Sequence, residues 1–117
     1  NMLMIRNGKI MLTRGDSAYI TVTLKSQEGS AYTMQAGDKL TLTVRKQAVD
    51  TSSVLLQSVS DSNTIKLAPE QTEKLASGSY SYDIQLTTVA GDVFTVAGAT
   101  SINSNLANFI VLPEVTV

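Results

Sequence analysis

Hydrophobic residues at every second position constrain this chain more than any other feature. In Ala18-Tyr-Ile-Thr-Val-Thr-Leu-Lys25, Ile20, Val22 and Leu24 alternate with Tyr19, Thr21, Thr23 and Lys25. Lys39 to Lys46 repeats the pattern, with Leu40, Leu42 and Val44 set against Thr41, Thr43 and Arg45. Tyr80 to Leu86 puts Tyr80, Tyr82, Ile84 and Leu86 on one face, and Ser81, Asp83, Gln85 and then Thr87 on the other. A period of two matches the pleat of a strand and not the turn of a helix. Each run is therefore expected to be a strand with one buried face. The abundance of Thr, Ser, Val and Leu suits that reading.

Shorter extended segments are expected over Lys9–Thr13, Val54–Val59, Thr64–Leu67, Val93–Ala97 and Asn108–Leu112. Glycines fall mostly between these runs, where a positive φ is useful. Asn7-Gly8 is a type I′ hairpin signal, Glu28-Gly29 and Gly91-Asp92 suit turns, and Asp61-Ser-Asn63 separates two short strands. Only Pro69–Leu75 looks helical, because Pro suits the first helical position and Glu70 and Glu73 suit the positive end of the dipole. Thr100 to Ala107 is polar and aperiodic, which suits a long loop. Strands about ten residues apart with turns between them predict an all-β, antiparallel sandwich carrying one short helical turn at Pro69–Leu75. The chain of 117 residues suits one domain, 1–117, with Asn1 ahead of Met2 read as an addition outside the fold.

Leu75-Ala-Ser-Gly-Ser-Tyr-Ser-Tyr-Asp-Ile-Gln-Leu86 places two of the chain's four tyrosines two apart, just after a glycine. A leucine closing a helical turn, a small linker and a tyrosine opening a strand resemble the tyrosine corner of immunoglobulin-like and fibronectin type III sandwiches. The Tyr80 ring is expected in the core, with its hydroxyl on backbone near Lys74 or Leu75. Gly78 is expected to spare the linker a Cβ clash, and Tyr82 is expected in the core.

The residue inventory narrows the chemistry. Without His or Cys, neither Ser-His-Asp and Cys-His catalysis nor a structural zinc site can be built. Asp83 and Asp92 are the acids that a hairpin could bring together, but both fall on outward or turn positions. Asp61-Ser-Asn63 offers two oxygen ligands without the longer loop that calcium needs. No glycine-rich phosphate loop is present. A net charge of -1 gives no field for a nucleic-acid backbone, and no apolar run of about eighteen residues is long enough for a membrane helix. The opening Asn-Met-Leu-Met lacks the design of a signal peptide, and the absence of cysteine suits a reducing compartment. Arg14-Gly15-Asp16 matches the integrin-recognition tripeptide. A turn between two strands, with Asp16 capping its own turn, is the preferred reading. The expectation is a protein that is not an enzyme, with no catalytic residue, cofactor or metal, and with no binding residue singled out.

The order of signals carries a family resemblance. It runs from Arg14-Gly-Asp-Ser and ITVTL through EGSAYTMQAGDKLTLTVRK and IKLAPEQTEKLASGSYSYDIQLTT to AGDVFTV and FIVLPEVT. This resembles the N-terminal immunoglobulin-like domain of phage baseplate upper proteins and related phage or prophage tail structural proteins, from about Lys9 to Thr116. The polar stretch from Thr100 to Ala107 looks like an insertion before the last strand. The resemblance implies a structural module that assembles with copies of itself, as a homo-oligomer, or with other tail or baseplate proteins. It places that module in the virion, or in the bacterial cytoplasm when expressed from a prophage. Exposed Thr rows and free strand edges fit such a role. The alternative is a cell-surface carbohydrate- or receptor-binding β-sandwich. That reading needs exposed aromatics, which here reduce to Tyr19 and Tyr32, and Tyr32 equally suits a core position.

Overall fold

A computed structural model describes residues 4–6, 9–24, 30–46, 53–98 and 109–113. The strands are β1 (Met4–Arg6), β2 (Lys9–Thr13), β3 (Ala18–Thr21), β4 (Lys39–Arg45), β5 (Val54–Ser60), β6 (Thr64–Leu67), β7 (Gly78–Thr87), β8 (Val93–Gly98) and β9 (Phe109–Leu112), with the helix α1 (Pro69–Glu73) between β6 and β7. They form an all-β sandwich. One sheet has seven strands in the order β1-β2-β9-β7-β4-β5, with β8 also on β7, and the other pairs β3 with β6. The expected turns at Asn7-Gly8 and Glu28-Gly29, Lys25, Asn108 and the stretch Thr100–Ala107 lie outside the described residues.

Alternation produces the core directly. Leu40, Leu42 and Val44 of β4 and Tyr80, Tyr82, Ile84 and Leu86 of β7 are all buried on the inner face. Ala18 and Ile20 of β3 and Ile65 and Leu67 of β6 are buried opposite them. Ile10, Leu12, Phe109 and Val111 extend the same cluster under β2 and β9. Tyr82 packs edge-to-face on Phe109, with centroids 6.1 Å apart and planes at 61°. Such a pair contributes about 0.5–1.5 kcal/mol beyond its burial.

Three features depart from the sequence reading. The strand expected over Ala18–Lys25 stops at Thr21, although Val22 and Leu24 keep the inward alternation and are buried. Its partner β6 begins at Thr64, so the ladder ends at Thr21↔Thr64. Beyond it, the Val22 N–H donates to the Asn63 carbonyl at 2.8 Å, and Asn63 Nδ2 returns a bond to the Val22 carbonyl at 3.0 Å. Second, β2 and β9 pair in parallel, with Ile10↔Phe109 through Thr13↔Leu112 in register, so the sandwich is not wholly antiparallel. Alternation marks the face of a strand and not its direction. Third, β1 was not expected, and it extends the sheet beyond β2 through Met4↔Met11 to Arg6↔Lys9.

The ten-residue β7 organises the large sheet. Along one side it pairs with β4 from Arg45↔Ser81 to Lys39↔Thr87. Its other side is divided: β9 takes Gly78 to Tyr80 and β8 takes Asp83 to Thr87. Both run antiparallel to β7, so β8 and β9 occupy successive stretches of one edge. Residues 99–108 separate them in sequence.

Candidate functional site

The tyrosine corner forms, with one difference. Tyr80 is buried and its hydroxyl donates to the Ala76 carbonyl at 2.6 Å, one residue beyond the expected Leu75. The Leu75 carbonyl instead accepts from Arg14 Nε at 3.1 Å. Gly78 has φ of 151° and open space where a Cβ would point. Its backbone conformation therefore calls for glycine, not the clash expected from sequence.

That bond to Leu75 explains the Arg-Gly-Asp tripeptide. The Asp16 N–H closes a turn on the Thr13 carbonyl at 3.1 Å. The Gly15 N–H donates to the fully buried Thr72 hydroxyl at 3.0 Å, and that hydroxyl donates to the Asp16 carbonyl at 2.9 Å. Arg14, Gly15 and Asp16 are half-buried against α1 and its linker. The helical turn starts where Pro69 predicts it, and Gln71 Oε1 accepts from the Ala68 N–H at 2.9 Å. The tripeptide is a turn that docks the start of the chain onto α1.

The remaining sequence candidates do not converge. Asp83 pairs across from Gly98, whereas Asp92 precedes the Thr87↔Val93 pair. Asp92 is level with Thr88, so about five strand positions at about 3.3 Å each separate the levels of the two carboxylates. Asn63 is committed to the Val22 carbonyl, just beyond β3. Among the described residues no three of Asp and Glu gather as a metal site.

Two carboxylates instead have structural surroundings. Asp38 is buried, and its Oδ2 accepts from the Tyr32 hydroxyl at 2.5 Å and the Gln35 N–H at 2.9 Å. Its Oδ1 accepts from the Val89 N–H at 3.0 Å, tying the 32–38 segment to the turn between β7 and β8. The Tyr32 hydroxyl, with the two N–H donors, holds the Asp38 carboxyl below the ordinary carboxylate range. Tyr32 is thus half-buried and engaged, which leaves Tyr19 as the exposed one of the two aromatics. Lys66 Nζ sits 5.8 Å from the centre of the Tyr19 ring.

On the outer face of the large sheet, Ser81 is buried and Asp83 half-buried although both point away from the core. Burial raises the Asp83 pKa, and the Arg45 guanidinium pulls it the other way. Arg45 Nε is itself buried with no hydrogen-bond partner among the described residues. The outer face therefore differs from the evenly exposed polar row that alternation predicts.

What the structure leaves open is apolar and lies at strand edges. β5 ends the strand order and exposes Val54, Leu55 and Val59, at 46, 44 and 59%. Val93 and Phe94 of β8 are exposed as well, as is Val89 in the preceding turn. Neither VLLQSVS of β5 nor VFTVAG of β8 contains a charge or a proline. Those are two of the usual devices that keep a free edge from pairing; a third, the β-bulge, occurs in β5 at Leu55 and in β8 at Val96. The absence of charge was readable in the sequence. That these segments are edges was not, because position in a sheet depends on topology.

The fold and its surfaces define an all-β sandwich in which two edge strands, β5 and β8, are uncharged and partly apolar. No family model, curated protein or solved structure matches the chain.

Proposed function

We propose that this protein is a non-catalytic assembly module that works through protein–protein contacts at its strand edges. The observation that carries the reading is the β5 edge, with Val54, Leu55 and Val59 exposed and no charge along the strand. An edge of this kind is a template for strand addition, in which backbone supplies affinity and alternate side chains supply specificity. The order of turns and strands, which resembles phage baseplate upper proteins, supports a structural role in a phage or prophage tail. The partners in that reading are copies of the chain or other tail proteins.

The second reading, a carbohydrate- or receptor-binding module, is favoured by exposed Tyr19 beside Lys66. A glycan platform usually groups several aromatics; Tyr32 is engaged by Asp38 instead, and Phe94, exposed although the sequence did not single it out, lies on β8 of the other sheet.

Size exclusion with light scattering across a concentration series tests the assembly reading. The wild type is expected to gain mass with concentration, and Val59→Lys, which puts a charge on the edge, is expected to stay monomeric. A wild type that is monomeric throughout and that binds a glycan in an array screen overturns the proposal.

A further inference from the structure

The geometry points to a specific occupant of the β5 edge: the same strand of a second copy, antiparallel about a two-fold axis beside Gln57. This deepens the assembly reading and rests on it. Directly opposed residues in an antiparallel pair share a face of the sheet. A register centred on Gln57 therefore sets Gln57 against its counterpart and Leu56 against Ser58, and brings Leu55, the bulged residue next to the regular run 56–60, to the level of Val59. Each copy then covers exposed apolar residues of the other, and cross-strand apolar pairs are a unit of sheet stability. The strand from Val54 to Ser60 contains no charge, so the two edges meet without like-charge repulsion. A net charge of -1 on the chain adds little.

The strand is also held in place for such a contact. Its inward serines are engaged from the core side, Ser58 Oγ donating to the Lys66 carbonyl at 3.0 Å and Ser60 Oγ to the Thr64 carbonyl at 2.7 Å. On the outer face, Gln57 Nε2 donates to Thr43 Oγ1 at 3.1 Å. β8, also uncharged and exposed, shares its side of β7 with β9, so it carries no inference. A two-fold contact uses the same patch twice, the commonest symmetry among soluble oligomers. One strand pair buries less than the roughly 800 Å² per partner of a standard interface. The pairing is accordingly concentration-dependent, and one contact among several in a larger assembly.

The chain has no cysteine, so single replacements report contacts cleanly. Opposed Cα atoms in an antiparallel pair lie about 4.5–5.5 Å apart, within disulfide range. Under mild oxidation, Gln57→Cys is expected to form a linked dimer. A mixture of Leu55→Cys with Val59→Cys is expected to link better than either alone. Gln85→Cys, on the same face but inside the sheet, is the control, and circular dichroism checks that each variant folds. Linking of Gln57→Cys no faster than Gln85→Cys overturns the β5 pairing. If the wild type still gains mass by light scattering in that case, assembly stands and uses another surface. If the wild type is also monomeric throughout, self-assembly falls with it.

Discussion

Single side chains show how local chemistry fixes long-range structure here. The Tyr80 hydroxyl pins the linker between α1 and β7 through Ala76, and the ring fills the core beneath Lys46, whose Nζ lies 4.8 Å from its centre. Tyr80→Phe keeps the ring and removes the bond. It is expected to lower stability by about 0.5–1.5 kcal/mol, seen as a lower urea midpoint at unchanged slope. Asp38 and Asp83 respond to pH in opposite senses. The Asp38 pKa is lowered by folding, so its contribution is present above the unfolded carboxylate pKa and is lost as pH falls through the folded value. The Asp83 pKa is raised, so its ionised form opposes folding at neutral pH, and acid relieves that penalty. Asp38→Asn is expected to destabilise and Asp83→Asn to stabilise at neutral pH. Urea titrations at descending pH should bring both variants toward the wild type. A sequence marks these two acids alike; only their neighbours separate them.

At the scale of elements, period-two alternation located β4 and β7 nearly to the residue, because each has one face in the core and one outside. It failed where pairing ended before patterning did. Val22 and Leu24 look like strand and are buried like strand, yet they have no ladder because the chain turns at Asn63. The parallel β2–β9 pair was hidden for a related reason, since direction leaves no trace in alternation. The turn between β7 and β8 is held by a contact that the sequence does not announce. Gly37 has φ of 95°, and a Cβ there would lie 2.9 Å from Val89 Cγ2. Gly37→Ala is expected to cost roughly 1–2 kcal/mol from the left-handed backbone alone, with the clash added. In a Val89→Ala background the added part should shrink, because the 2.9 Å contact goes and the 3.2 Å contact to Cβ stays, which a double-mutant cycle by urea denaturation measures.

For the whole molecule, the sandwich was legible because its layers follow from many independent alternations that agree. The candidate surface was legible only as an uncharged run. In sequence, Val54 to Leu56 is consecutive and apolar, which suits a buried strand as well as an edge. The structure separates these by ending the sheet at β5, with a register shift opposite Val44 and Arg45 that leaves both Val54 and Leu55 exposed. The outer acids and Arg45 were likewise readable as residue types, but not as partly buried groups. A strictly local reading therefore recovers faces well and neighbours poorly. The light-scattering series on the wild type and on Val59→Lys tests the property that depends on neighbours, with mass expected to rise with concentration in the first only.

The parallel pairing of β2 with β9 bears on how the protein is made. Apart from β1, β2 has one neighbour in its sheet, and that neighbour lies at residues 109–112. A ribosome adding about 5–20 residues per second needs roughly 5–20 s to cover the intervening hundred or so residues. Throughout that interval Ile10 and Leu12, fully buried in the finished core, wait in the nascent chain without the strand that covers them. Completion of the large sheet is thus tied to emergence of Phe109–Leu112 from the exit tunnel, and chaperones have that long to meet the unfinished edge.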